Sequence, residues 1–311
     1  MNKIRWLTAL TVALTLARAG AGPIEPKRIP GNAAWVVHLD VERLKQTDLG
    51  KFVMEQMRTP DAERQLAAAR AVFDFDPREN LKTLTMFGSD FKNPSAVALV
   101  HGVFDAERLS TLAGGQPNYR KLDYAGAAVH QWDDPNNGRT LFAAFPAAGW
   151  VAAGPDLEAL KTALDVLSAR KPSLASQSGS FLPAPSNNLP MLMMAVSMAN
   201  AELDADAPPA VREARSGALT ISELAGEVSL DVAVEFAGVE RATQVRDLVA
   251  GFIAMAAMNA AENPELAEIA QRANVTLDGS TARLRLRIPA AKLRDAALKR
   301  MTPENPPPAD F

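Results

Sequence analysis

Three histidines, His38, His101 and His130, are the only imidazoles in a chain of 311 residues. All three fall in segments that alternate or run apolar as strands do. If those strands are neighbours, the three rings have the ligand types of a zinc site. The ordinary alternative is a strand histidine that is half exposed, or buried with its hydrogen bonds made. His38 shares one strand side with Val36 and Asp40, opposite Trp35, Val37 and Leu39. It is therefore expected to point away from the more apolar side. A second pattern is Arg283, Arg285 and Arg287, alternating with Leu284, Leu286 and Ile288. The arginines make a cationic stripe that an anionic ligand would fit. Glu227, Asp231 and Glu235 form a matching acidic stripe in another strand, so cross-strand charge pairing competes with ligand binding.

Other groups of reactive side chains are less complete. Asp74, Asp76 and Glu79 cluster, as do Asp133 and Asp134. Asp134, Asn136 and Gly138 echo the start of a calcium loop but lack its later ligands. Met191, Met193, Met194 and Met198 are the thioethers a cuprous ion would favour, but a strand sends them to both sides. No serine sits in a glycine-flanked nucleophile elbow, and no phosphate or dinucleotide glycine motif follows a strand. No catalytic residue is singled out, and no cofactor is expected.

The chain has no cysteine, which excludes disulfides, thiol catalysis and a lipid-bearing cysteine. Lys3 and Arg5, the uncharged stretch Trp6 to Ala17, and the small residues Ala19, Gly20 and Ala21 have the three regions of a secretory signal peptide over residues 1–22. The apolar stretch is short of the roughly 20 residues that span a bilayer. Removing residues 1–21, which carry three basic residues and no acid, leaves 30 basic against 36 acidic residues. That balance argues against nucleic acid as a partner, because it is bound mainly through basic surfaces. A protein or envelope component is the expected kind of partner, and the compartment is secreted or periplasmic. The longest later apolar run, Leu248 to Met258, reads as a buried helix.

Elements must place these side chains. Ala34 to Leu39 reads as a strand, and Asp40 caps a helix carrying Leu44, Leu49, Phe52, Val53 and Met57. A helix follows from Asp61 to Phe73, then a turn at Asp74-Phe75-Asp76-Pro77. Strands are expected at Leu81 to Phe87 and Ala96 to Phe104, then a helix capped by Asp105. Four further strands precede a helix capped by Asp156. Asn137-Gly138 and Ala225-Gly226 mark hairpins. Residues 169–190 are rich in serine and proline and read as a linker or long loop. The second half repeats the order, with a hairpin, a long helix from Val239, and strands and a helix up to residue 300. The tail, 301–311, has the composition of a disordered segment.

The chain resembles an uncharacterised family of bacterial exported proteins built from tandem α+β repeats. The resemblance rests on Trp35-Val36-Val37-His38-Leu39-Asp40 running into a helix, and on Phe75-Asp76-Pro77 followed by Asn80-Leu81. It also rests on Ala163-Leu164-Asp165-Val166-Leu167 with Pro172-Ser173-Leu174 after it. The resemblance covers roughly residues 33 to 200 and implies architecture and export, without a site. The expected fold is α+β, with two related halves at 31–168 and 191–300, each an antiparallel-rich sheet with helices on one face. The expected function is a non-catalytic binding or envelope-associated module, with a hydrolase of unrecognised site as the alternative.

Overall fold

Capping side chains decide where strands give way to helices in this chain. Asp40 Oδ1 accepts from the Arg43 amide at 2.9 Å, Asp105 Oδ1 from Arg108 at 3.0 Å, and Asp156 Oδ1 from Ala159 at 2.8 Å. Each satisfies one of the amides that a first helical turn leaves unpaired.

A computed structural model describes residues 22–91, 95–135, 137–177, 179–184, 188–200, 212–259, 261 and 264–301. Residues 1–21 of the expected signal peptide, Asn136, the polar stretch 201–211 and the tail from 302 lie outside the described residues. Twelve strands and nine α-helices are formed by the described residues, an α+β fold. The strands are β1 (Trp35–Asp40), β2 (Leu81–Gly88), β3 (Val97–Gly102), β4 (Arg120–Tyr124), β5 (Ala127–Asp133), β6 (Thr140–Ala147), β7 (Trp150–Gly154), β8 (Leu192–Ser197), β9 (Ala214–Leu224), β10 (Glu227–Phe236), β11 (Ala273–Asp278) and β12 (Thr281–Pro289). The helices are α1 (Val41–Gln46), α2 (Asp48–Gln56), α3 (Pro60–Phe73), α4 (Pro77–Asn80), α5 (Ala106–Gly114), α6 (Leu157–Leu167), α7 (Val239–Met258), α8 (Pro264–Arg272) and α9 (Ala290–Met301).

The chain divides into two units, and the division is not a single cut. Of the described residues, one takes those up to Arg43, those of Glu63–Leu182, and Asn200; the other takes those of Leu44–Ala62, Pro183–Ala199 and those from 212 on. So α2, expected in the first half, belongs to the second unit. The expected linker is also more ordered at its start than its composition suggests. Gly31 N donates to Pro172 O at 3.0 Å, Leu174 N donates to Ile29 O at 2.9 Å, and Leu174 is buried. These bonds tie residues 172–174 to the segment before β1, within the first unit.

In the first unit the strand order is β1-β2-β3-β7-β6-β5-β4, every neighbour antiparallel. Helix α6 packs on β7, β6 and β3 through buried Leu160, Ala163 and Leu164. The β4–β5 hairpin turns on Ala125-Gly126 with φ of 53° and 81°, the two positive angles that match the twist of paired strands.

In the second unit the order is β8-β9-β10-β12-β11, again antiparallel throughout. Its β9–β10 hairpin turns on Ala225-Gly226, at φ 52° and 75°. Ala214, Phe236, Ala242 and Ala282 form a buried cluster, with Val234, Val245 and Leu277 against it. This seats the start of α7 on the sheet. The rest of α7 departs from the buried helix expected of Leu248 to Met258. Leu248, Phe252 and Met255 are more than half exposed, and Met258 is 85% exposed. Only Ala242 of the whole helix is buried.

Candidate functional site

Register decides which side chains meet. In an antiparallel pair, residues directly opposite one another point to the same side of the sheet. His38 lies opposite Thr85, and Thr85 opposite Leu99. One step along, Asp40 lies opposite Thr83, Thr83 opposite His101, and His101 opposite Trp150. Two rows therefore share one face of the first unit: His38 and Thr85 lead to apolar Leu99, and Asp40, Thr83, His101 and Trp150 cross β1, β2, β3 and β7.

A short segment lies over these rows. Gly22 to Ile29 includes a 3₁₀ turn at Pro26–Arg28, whose first position suits proline because its missing amide would go unpaired there. Glu25 holds the segment's charges: Arg28 Nε donates to it at 2.9 Å, and Lys27 Nζ lies 3.2 Å away. The Arg28 guanidinium sits 4.2 Å from the centre of the Trp150 ring, a cation–π contact. His101 stacks on Trp150 at 4.3 Å between centroids. Between segment and sheet lies a cavity of about 630 Å³, lined by Ile24, Arg28, His38, Thr85, His101 and Trp150 among others.

His38 is the unusual group here. It is 4% exposed, and its Nδ1 lies 2.9 Å from Thr85 Oγ1. Burial pushes its pKa down to about 4, although the Gly22 main chain and the Glu25 carboxylate favour the charged form. Its Nε2 is closed off from solvent and has no hydrogen-bond partner. The Gly22 main chain reaches far enough to influence the ring, but not into hydrogen-bond geometry with Nε2. The expectation for β1 is thus reversed: the side carrying His38 is the buried one, and Trp35, Val37 and Leu39 are only half-buried. Val36, His38 and Asp40 are all buried, because the 22–29 segment and α6 occupy that face.

The three histidines do not share a site. His130 pairs with Ala143, while its neighbour Val129 pairs with Ala144 and, through Ala152, with the Leu99 row. His130 therefore faces the other side of the sheet from His38 and His101. There its Nδ1 lies 3.0 Å from the Tyr119 hydroxyl and its Nε2 3.4 Å from Ser110 Oγ of α5. Among the described residues no three histidine, aspartate or glutamate side chains converge as a metal ion requires. Met191 and Met193 are buried while Met194 is exposed, so the methionine cluster is split by the strand as well.

The arginine stripe is in the second unit. Arg285 lies opposite Asp231 and donates to it at 2.6 Å. Arg283 reaches Asp278 at 3.5 Å, and Arg287 lies opposite Ser229. The acidic stripe is matched at one position only. Glu235 accepts instead from Ser216 Oγ at 3.1 Å, and Glu227 lies 4.0 Å from Arg272. Of the acid cluster near residue 76, Asp76 pairs with Arg78 at 2.8 Å and Arg70 at 3.4 Å while capping α4.

Sequence reasoning named His38 and His101 but missed Thr85, Trp150 and Arg28. The available signal was strand parity, which places Thr83 and Thr85 on one side of β2. Which strand neighbours which is not written in local pattern, and the order β2-β3-β7 skips three strands.

The chain matches no family model and no curated protein. Among solved structures it is similar to crystal form III of TP0453, with TM-score 0.46 and 8% identity over 91% of this chain and 100% of that one. Crystal form IV of TP0453 gives 0.46 and 8% over 90% and 98%. A likeness at this level says nothing about what the chain does.

Proposed function

We propose that this chain is an exported, non-catalytic binding module of a bacterial envelope, akin to the uncharacterised exported families with tandem α+β repeats. Its ligand site is the cavity under residues 22–29. That cavity is the observation that carries the reading: about 630 Å³ is within the range of small-molecule sites, and a few polar groups converge on an otherwise apolar lining. Export is supported by the three-part pattern of residues 1–22.

Two measurements test this. N-terminal sequencing of the protein from the extracytoplasmic fraction should find a start between Ala19 and Pro23, and a start at Met1 would remove cleavage. Native mass spectrometry of the same material should show a non-protein mass that is lost in Ala175→Trp, a substitution at the cavity wall. Bare protein in both forms would count against a small-molecule site.

The hydrolase reading keeps one specific observation, the line Ser110, His130 and Tyr119, which has the order of nucleophile, base and orienting group. Against it, Ser110 Oγ donates to the Ala106 carbonyl at 2.8 Å, so its proton is not directed at the histidine. Loss of an ester-hydrolysing activity in Ser110→Ala would favour this second reading.

A further inference from the structure

The cavity under residues 22–29 also limits the chemistry of what fills it, given the binding reading above. Its charged groups are already paired. Arg28 and Lys27 both engage Glu25, and Arg28 lies on Trp150. Each charged side chain of the lining is thus engaged by another, with two cations sharing the one carboxylate. Trp150 is stacked with His101 and covered by Arg28, so it is not an open platform for a sugar ring. The remaining lining combines apolar surface from Ile24, Ile29 and Leu99 with the hydroxyls of Thr83 and Thr85.

Among the lining's side-chain atoms closed off from solvent, His38 Nε2 is the one without a hydrogen-bond partner, and its polarity follows from the partner of Nδ1. Thr85 is buried, and its hydroxyl meets His38 Nδ1. If Nδ1 carried the proton, the Thr85 hydroxyl hydrogen would have nowhere to go. If the hydroxyl donates to Nδ1, the imidazole proton sits on Nε2. His38 Nε2–H is then a buried donor with no acceptor in good geometry, the Gly22 main chain being only a weak partner. Leaving such a group unmade is unfavourable, and an incoming acceptor recovers that cost.

We propose that the cavity takes a small uncharged molecule with an apolar body and one acceptor oxygen. That oxygen accepts from His38 Nε2, and the Gly22–Pro23 end of the covering segment moves aside to admit it.

The test uses the full chain and three fluorescent probes. Nile red is uncharged and has one conjugated carbonyl, pyrene is a hydrocarbon of comparable shape, and anilinonaphthalene sulfonate is an anion. Because α7 exposes apolar side chains, only binding that Ala175→Trp removes is counted. Nile red and pyrene should both bind and both be lost in Ala175→Trp. His38→Phe should weaken Nile red about tenfold, the scale of one lost hydrogen bond, and leave pyrene within about twofold. His38→Gln, which restores a donor, should recover Nile red. In the unsubstituted chain the carbonyl stretch of bound Nile red should shift to lower wavenumber, a readout that needs no variant to fold.

If Ala175→Trp leaves both neutral probes bound, the cavity is not the site and the binding reading itself falls. If Ala175→Trp removes them but His38→Phe is silent, or the carbonyl stretch does not shift, the site stands and the acceptor inference is overturned. Tighter cavity-dependent binding of the sulfonate would overturn the uncharged class.

Discussion

His38 holds its proton more weakly than a free imidazole because its ring is buried, which disfavours the charged form. The consequence for stability has a definite sign. Between the ordinary value of 6.5 and about 4, the unfolded chain binds a proton that the folded chain refuses. Stability therefore falls as pH drops through that window and levels off below it, by up to about 3 kcal/mol. Thermal midpoints measured from pH 7 to pH 4 should show this decline, and His38→Phe should flatten it. Asp165 works in a lower window. Burial alone would raise its carboxyl, but hydrogen bonds from Arg170, Tyr124 and Lys171 outweigh that and hold it below 3.8. Its stabilisation is complete above that ordinary value and is lost as pH falls through the lower folded one. In Asp165→Asn, the part of the acid transition below pH 4 should shrink.

At the scale of elements, the direct pairing of β10 with β12 makes the Asp231–Arg285 contact testable by charge reversal. Asp231→Arg should cost about 1 kcal/mol or less, and adding Arg285→Asp should recover part of it, because the pair is partly exposed. Chemical denaturation of the two single variants and the double reads the coupling; additive effects would mean the pair contributes nothing. That pairing was legible in the alternating charges of the two segments. So were the capping aspartates and the Ala225-Gly226 hairpin, because each depends on neighbours in sequence. The single helix expected after Asp40, carrying Leu44 through Met57, shows where local reading stops. It breaks at Thr47, whose hydroxyl accepts from Gly50 N at 2.9 Å, and a Cβ at Gly50 would collide with the Leu44 carbonyl. Thr47-Asp48 is a capping signal, but the apolar spacing on either side hides it. The second half of the cap comes from β9. Glu223 accepts from Asp48 N at 2.7 Å and Leu49 N at 3.0 Å, which no local pattern shows. The exposed stripe on α7 was missed for a similar reason, since an apolar run does not say how much of it another element will cover. The cavity escaped because it depends on the strand order and on the 22–29 segment folding over it.

At the scale of the whole chain, the second unit is assembled from separated stretches of sequence. Glu223→Ala should therefore loosen α2 specifically. Hydrogen exchange at residues 48–50 should rise while β1 to β3 keep their protection, and the cost should be about 1 kcal/mol, as for other helix caps. The contact between Glu223 and Asp48 spans 175 positions. It works as a clasp on a very long loop, and the entropy of closing such a loop grows only with the logarithm of its length. Ten extra glycine and serine residues after Ser180 would lengthen that loop at a closure cost below about 0.1 kcal/mol, so the melting temperature should barely move. A single proteolytic nick at the same place acts differently. It turns an intramolecular closure into an association between two fragments, so the clasp becomes dependent on protein concentration. The exposed serine-rich stretch is thus tolerant of insertion and intolerant of cleavage. The nicked protein should lose α2 protection on dilution while the intact protein keeps it.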